Sequence, residues 1–132
     1  MAEKKRAFLE KLSMHRDLGV KPGLENITEL CGRLGNPHLK IPSVHVAGTN
    51  GKGAVCTMID AALRHAETKT LLYTSPHLVR INERFRINGK DVADDVLNET
   101  LEEVEKASIG INATFFEVLT ATAFLLAVRE NV

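Results

Sequence analysis

The sequence lacks the features that mark several common classes of protein. Seventeen Lys and Arg residues balance seventeen Asp and Glu residues in the 132-residue chain, so its net charge is zero. This balance gives no support for a nucleic acid or a membrane surface as the main partner. The only two cysteines, Cys31 and Cys56, form neither a disulfide framework nor a metal-binding spacing. We predict two buried thiols in a cytoplasmic protein, because a reducing compartment keeps cysteines free.

Long apolar runs are absent as well. The longest stretch without a charged residue or a histidine covers residues 118–128, which is too short to span a bilayer. No apolar segment follows the charged N-terminus, so the start of the chain does not look like a secretory signal. With 44% hydrophobic and 26% charged residues, the composition is typical of a globular protein, and the length suits one domain.

The most informative segment that is present is Gly48-Thr49-Asn50-Gly51-Lys52-Gly53. It follows a β-prone run and precedes a helical pattern, an arrangement in which backbone N–H groups and one Lys can surround a polyphosphate. The match to a standard phosphate loop is incomplete: Val46 stands where the first Gly is expected, and Ala54 follows Gly53 with no hydroxyl for magnesium. The alternative interpretation is a glycine-rich turn with an exposed Lys.

Periodicity predicts the secondary structure around this loop. Helical patterns cover about 3–17, 24–34, 53–66, 92–104 and 114–128, and β-prone runs predict strands at 43–48 and 70–74 with a hairpin near 85–92. Thr114 and Glu117 have the spacing of a capping box. Strand, glycine loop, helix and strand form a βαβ unit, which favours a parallel sheet. The helix after the loop should bury one continuous apolar face, made of Val55, Met58, Ile59, Ala62, Leu63 and Ala66.

In this order, the segments resemble the folylpolyglutamate synthase and dihydrofolate synthase family of Mur-type amide ligases. The resemblance rests on Gly23-Leu24-Glu25, Leu34-Gly35-Asn36-Pro37, the loop with His45 before it, Tyr73-Thr74-Ser75-Pro76-His77-Leu78, Arg80-Ile81-Asn82-Glu83-Arg84 and Phe116-Glu117. It implies an α/β fold: an incomplete three-layer α/β/α P-loop domain of the Mur ligase central-domain type, with a mainly parallel sheet. Residues 1–132 would form one partial domain, with N-terminal helices over 1–38 and an ATP-binding α/β region over 43–132. The rest of the catalytic domain and a C-terminal domain would be absent.

The resemblance also implies a set of site residues. The nucleotide would be held by Gly48, Thr49, Asn50, Gly51, Lys52, Gly53 and Ala54, with Lys52 also acting on the transferring phosphoryl group. Ser75 is expected to bind magnesium. The substrate side would be formed by Ser75, Pro76, His77, Arg80, Asn82, Glu83, Arg84, Thr114 and Phe116. The alternative roles for these side chains are loop salt bridges, helix capping and core packing.

The reaction implied by the resemblance is an ATP-dependent ligation. ATP, with Mg²⁺, would phosphorylate a carboxylate of dihydropteroate or a folate, and L-glutamate would displace the phosphate to form an amide. Ala54 departs from the Ser or Thr that members of the family carry there. One alternative is a non-catalytic remnant that binds nucleotide or pterin weakly. A sibling alternative is a Mur-type ligase of cell-wall precursors, over which Ser75-Pro76 and the Arg80 to Arg84 motif favour the folate branch. We also expect exposed sheet edges to drive self-association.

Overall fold

The structure is a computed structural model that describes Phe8, Glu10 and residues 23–132. The helix predicted over 3–17 lies outside the described residues except for Phe8 and Glu10. Phe8 packs against a cluster of buried side chains around Leu30, as its apolar character predicts. Among the described residues, no helix combines the length and apolar character that crossing a membrane requires.

Residues 23–132 form four α-helices: α1 over Glu25–Arg33, α2 over Lys52–His65, α3 over Asp94–Ala107 and α4 over Phe115–Arg129. These helices confirm the predicted ones to within a few residues at each end. The predicted stop after α1 is also confirmed, because Gly35 and Asn36 take positive φ angles of 79° and 53°. A short 3-10 turn, Pro37–Leu39, follows at once.

Three short strands form one antiparallel sheet: β1 over Leu71–Tyr73, β2 over Phe85–Ile87 and β3 over Lys90–Asp91. Tyr73 lies opposite Phe85 in the β1–β2 pair. The hairpin predicted near 85–92 is confirmed. Its turn residues, Asn88 and Gly89, have φ angles of 49° and 78°, and positive φ at both positions is what the tight turn between twisted strands requires.

The prediction of a mainly parallel sheet is wrong for the described residues, since both strand pairs are antiparallel. The strand predicted at 43–48 is wrong too: the segment is irregular, and Val44 is 68% exposed. A strand is stable only when its backbone pairs with a neighbour. Among the described strands, none pairs with 43–48: β1 pairs with β2, and β2 pairs with β3. The three-layer arrangement stays a prediction.

The core lies on two sides of α4, which is buried almost all round, as its apolar composition predicts. One cluster joins α4 to the sheet and α3 and contains Phe85, Val92, Leu97, Leu101, Phe115, Leu119, Ala123 and Leu126. The other joins α4 to α1 and α3 and contains Leu30, Cys31, Val104, Val118, Ala121 and Leu125.

Burial raises the pKa of the Cys31 thiol. Cys56 is also a free thiol but is only half-buried, so the prediction of two buried thiols is wrong for this one.

Helix α2 is attached to the rest of the described fold by its polar side. Its predicted apolar face is largely open, with Met58 70% and Val55 45% exposed, so the expectation that this face is buried is wrong for the described residues. The buried residue of α2 is Asp60. Its carboxylate accepts hydrogen bonds from the Thr70 hydroxyl at 2.6 Å and from Arg64 Nε at 2.8 Å. A polar contact beside β1 therefore sets the position of α2.

Candidate nucleotide and substrate site

The glycine loop turns the chain into α2 through residues with positive φ. Gly51 is the N-cap of α2, with φ 78° and ψ 0°. A Cβ atom there would meet nothing within 4 Å, so the preference for glycine at this position comes from the backbone conformation and not from crowding. Gly48 also has positive φ, at 155°. The predicted strand-to-helix glycine turn thus exists as an irregular segment that turns into a helix.

The N-terminus of α2 is free of the side chains that usually cap a helix. No side chain caps it with a hydrogen bond, and its first turn contains no acidic residue. The first amide in the helix to find a backbone acceptor is that of Val55, which donates to the Gly51 carbonyl at 3.0 Å. The preceding amides and the helix dipole therefore face the loop as donors with partial positive charge, which favours an anion.

Lys52 lies in the first turn of α2 and folds back over the loop. Its Nζ donates to the Gly48 carbonyl at 2.5 Å and lies 3.5 Å from the Thr49 carbonyl oxygen. The side chain is exposed, so the ammonium can exchange these carbonyls for phosphate oxygens without losing a buried contact. The nearby Thr57 hydroxyl is not available to a ligand in the same way, because it donates to the Gly53 carbonyl at 2.8 Å.

The residues that could bind a magnesium ion are limited in the described structure by the lack of a metal-binding cluster. The described residues contain no cluster of three or more His, Cys, Asp or Glu side chains that could hold a metal. Ala54 offers only a methyl group. The exposed Ser75 supplies a hard, neutral hydroxyl oxygen, which suits Mg²⁺ when phosphates and water complete its coordination.

Glu83 organises the loop that carries Ser75. Its carboxylate accepts three backbone hydrogen bonds, from the amides of Leu78 at 2.8 Å, Val79 at 3.0 Å and Arg80 at 2.6 Å. These backbone hydrogen bonds lower the pKa of Glu83 from 4.5 to about 2, because they favour the charged form. The anionic carboxylate thus supplies the hydrogen-bond acceptors that these loop amides would otherwise lack.

Arg80 and Asn82 join the same loop to the start of α3. Arg80 Nη2 and Asn82 Nδ2 donate to one oxygen of Asp94, at 2.6 and 2.9 Å. Asn82 is buried, and its amide also donates to the Val92 carbonyl at 2.8 Å. Arg80, Asn82 and Glu83 therefore have the structural roles that the alternative interpretation assigns them. Their roles toward a ligand stay predictions.

Arg84 is the buried cation of this region, with 2% of its surface exposed. Its Nε donates to His77 Nδ1 at 2.7 Å, which identifies Nδ1 as the acceptor nitrogen of the imidazole ring. The guanidinium carbon lies 5.6 Å from the centroid of the Phe115 ring, within the range of a cation–π contact. Arg84, His77 and Phe115 thus connect the loop to the first turn of α4. The neighbouring Pro76 is exposed.

The first turn of α4 presents an exposed aromatic ring. Thr114 caps the helix: its hydroxyl accepts from the Glu117 amide at 3.2 Å, and its own amide donates to the Glu117 carboxylate at 2.8 Å. This confirms the predicted capping box. Phe116 is 57% exposed, and its ring lies 6.4 Å from that of Tyr73, centroid to centroid. An exposed aromatic beside a capped helix end is available to stack with a flat ligand.

Sequence reasoning missed two residues that contact this ring and its turn. Tyr73 was placed only as part of a strand and a motif, yet its ring contacts Phe116 and its hydroxyl lies 3.3 Å from Thr120 Oγ1. Thr120 in turn donates to the Phe116 carbonyl at 2.8 Å. A Thr four residues after Phe116 only weakly predicts a hydrogen bond back to the Phe116 carbonyl. The contact between Tyr73 in β1 and Thr120 in α4 has no local sequence pattern that could predict it.

Comparison with known proteins places the chain in context. A scan against models of protein families finds no match. The chain is 42% identical over 122 residues to a probable bifunctional folylpolyglutamate synthase/dihydropteroate synthase of Haloferax volcanii, covering 89% of this chain and 15% of that protein. It is 40% identical over 114 residues to a dihydrofolate synthase/folylpolyglutamate synthase of Bacillus subtilis, covering 81% of this chain and 26% of that protein. The chain therefore spans about a quarter or less of these curated relatives.

Solved structures agree with the sequence comparison. The fold matches a crystal structure of folylpolyglutamate synthase from Thermotoga maritima with TM-score 0.84 and 34% identity, over 96% of this chain and 32% of that one. It matches E. coli FolC in complex with DHPP and ADP with TM-score 0.82 and 33% identity, over 95% and 30%. A bifunctional synthase from Yersinia pestis, complexed with AMPPNP and a Mn ion, matches with TM-score 0.81 and 32% identity, over 95% and 30%. By sequence and by fold, the chain matches the N-terminal portion of members of the folylpolyglutamate synthase and dihydrofolate synthase family.

Proposed function

We propose that this chain provides the ATP phosphate loop and part of the pterin site of an ATP-dependent ligase of folate metabolism. The observation that carries the proposal is the uncapped N-terminus of α2 behind the glycine loop, in a chain similar to a protein whose structure contains ADP and DHPP. The reaction would add L-glutamate to dihydropteroate or to a folate. A P-loop domain architecture, which the complete protein would share with its family, fits this use of the loop.

The proposed chemistry begins at the phosphates. Loop amides from Gly48 to Ala54 would hold the polyphosphate, and Lys52 Nζ would leave the Gly48 and Thr49 carbonyls to contact the outer phosphates. A substrate carboxylate oxygen would attack the γ-phosphorus as the bond to the β-phosphate oxygen breaks, releasing ADP. Mg²⁺, when bound, neutralises charge on the phosphates, with Ser75 as the hydroxyl that this chain offers. The amine of glutamate would then attack the acyl carbon, lose a proton and release phosphate.

The substrate side of the proposal involves the loop before β2 and the start of α4. Phe116 would stack on the pterin, next to the Thr114 cap. Ser75, Pro76, His77 and Arg80 would approach the ligand from the loop that Glu83 organises. Asn82 and Arg84 would act through that loop, since both side chains are buried.

A non-catalytic chain that binds nucleotide or pterin weakly is the second candidate. Ala54 favours it, because a methyl group cannot bind the metal ion or donate to a phosphate.

We further propose a cytoplasmic location, since both cysteines are free. Self-association is a third part of the proposal: among the described strands, β1 pairs only with β2, and the other edge of β1 carries backbone groups that a second copy could pair.

Calorimetric titration of Mg·ATP into the purified chain tests the nucleotide site. Lys52→Ala should weaken binding roughly 10- to 100-fold, because it removes a charge-assisted contact worth about 1.5–3 kcal/mol. Lys106→Ala is the matched control, since Lys106 is an exposed Lys near the far end of another helix. Equal affinity of Lys52→Ala and the wild-type chain would contradict the proposed loop. Amide formation from L-glutamate and dihydropteroate or a folate would separate the ligase from the non-catalytic candidate.

A further inference from the structure

Phe116 is the outer member of a stack of three aromatic rings. Phe85 in β2 is fully buried, and its ring lies 5.4 Å from that of Tyr73 with an interplanar angle of 13°. The Tyr73 ring lies 6.4 Å from that of Phe116 with an angle of 29°. These separations and tilts are those of offset stacking. The exposed ring of Phe116 is therefore connected to the core through one intermediate ring.

The Tyr73 hydroxyl is joined to the same helical turn by a chain of two hydrogen bonds through Thr120. The Thr120 hydroxyl donates its single proton to the Phe116 carbonyl at 2.8 Å. The Tyr73 hydroxyl, 3.3 Å from Thr120 Oγ1, must then be the donor in that pair, because Thr120 has no second proton to give. Tyr73 thus contacts Phe116 with its ring and the backbone of Phe116 through Thr120.

The two contacts restrict Phe116 in different ways. The ring contact limits rotation of the Phe116 side chain, and the hydroxyl chain holds the turn of α4 from which that side chain projects. Phe116 keeps 57% of its surface exposed with Tyr73 against one side, so the open surface lies away from Tyr73. An exposed Phe without such a neighbour would exchange between rotamers.

We propose that Tyr73 is a positioning residue, which with Thr120 fixes the Phe116 ring so that a flat heteroaromatic ligand stacks on its open face. The inference rests on the proposed function in one respect, namely that the ligand is a pterin. It predicts a preorganised stacking surface, whose benefit to affinity comes from rotamer freedom that is lost before binding.

Tyr73 can be observed alone in this chain, because it is the single tyrosine and there is no tryptophan. The near-ultraviolet circular dichroism of its phenol reports the stack without any ligand. Phe116→Leu should reduce this band, since the ring on one side of Tyr73 is lost. Burial raises the pKa of Tyr73, so an absorbance titration of the same phenol gives a second, independent signal. That pKa should fall toward its ordinary value in Phe116→Ala, as the phenol becomes more accessible to water.

The decisive experiment is calorimetric titration of pteroic acid into the full chain and its variants. Phe116→Leu and Tyr73→Leu should each weaken binding about tenfold, whereas Tyr73→Phe and Thr120→Val should weaken it about threefold, from the usual sizes of aromatic and hydrogen-bonding contacts. Tyr73→Phe combined with Thr120→Val should be no weaker than either single variant, because both remove the same hydroxyl chain. Tyr73→Phe keeps the ring and provides the folded variant if Tyr73→Leu unfolds.

The outcomes separate this inference from the proposed function. If Phe116→Leu loses affinity but Tyr73→Leu and Tyr73→Phe bind like the wild type, positioning by Tyr73 is refuted and the pterin site stands. If Phe116→Leu itself binds normally, stacking on Phe116 is refuted. If the folded wild-type chain binds Mg·ATP but not pteroic acid, the inference and the pterin part of the proposed function both fail, and the phosphate loop is unaffected.

Discussion

Replacing Asp60 with Ala should detach α2 from the sheet at a measurable cost. The carboxylate is 6% exposed and accepts from the Thr70 hydroxyl at 2.6 Å and from Arg64 Nε at 2.8 Å. Loss of a buried hydrogen bond to a charged group costs about 1.5–3 kcal/mol. The Arg64 pair adds about 0.5 kcal/mol at most, because the Arg64 side chain is 37% exposed. Ala has a better helix propensity than Asp, which offsets about 0.5 kcal/mol of this loss of stability.

The free energy of unfolding should therefore fall by about 2 kcal/mol, which corresponds to a drop in Tm of roughly 6–10 °C for a chain of this size. Urea unfolding followed by far-ultraviolet circular dichroism measures it. Asp91→Ala is a matched control: Asp91 also pairs with an Arg at 3.0 Å, but both side chains are more than two-fifths exposed, at 45% and 44%. That variant should change stability by less than about 0.5 kcal/mol. Equal losses in the two variants would refute the reasoning that burial of Asp60 holds α2 in place.

Three further predictions concern the loops and the aromatic stack. Ala54→Ser should tighten Mg·ATP binding about threefold to tenfold in calorimetry but leave ATP binding in EDTA unchanged; tightening in both conditions would exclude a metal contact. The Glu83 carboxylate has a pKa of about 2 against an ordinary 4.5. It should therefore stabilise the loop above pH 4.5, and this stabilisation should be lost as the pH falls toward 2. Limited proteolysis by pepsin should show that loss, and Glu83→Gln should remove its pH dependence. Since burial raises the pKa of Tyr73 above 10, its contribution to stability should be complete below pH 10 and fall above it. Chemical unfolding of Tyr73→Phe should lack that alkaline slope, and an unchanged slope would contradict the assignment.

Local signals in the sequence predicted local structure well. The Thr114–Glu117 capping box and the Asn88-Gly89 turn were confirmed, because each depends on residues a few positions apart. The strand at 43–48 was wrong because a strand depends on a partner elsewhere in the chain. The apolar face of α2 was identified correctly as a pattern, but periodicity cannot say whether another element covers it.

The candidate site divides in the same way. The glycine loop and the Arg80 to Arg84 motif could be found from residue types and order alone. The specific hydrogen bonds of Glu83 and Asn82 could not, since they depend on how the loop folds back on itself and on α3. Tyr73, Thr120 and Asp60 act across elements that are 10 to 47 residues apart, and no short motif encodes such contacts.

The attachment of α2 has a consequence for the order in which parts of the molecule open. None of the buried residues in the two core clusters of the described structure belongs to α2, so this helix can unfold locally at a lower free energy than α4. Its amides should exchange with deuterium first, while those of α4 should wait for global unfolding. Mg·ATP bound at the loop should slow exchange in α2 in proportion to ligand concentration over Kd and leave α4 unchanged. Part of the binding free energy would then be used to order a helix, and nucleotide affinity would rise with any substitution that stabilises α2 alone.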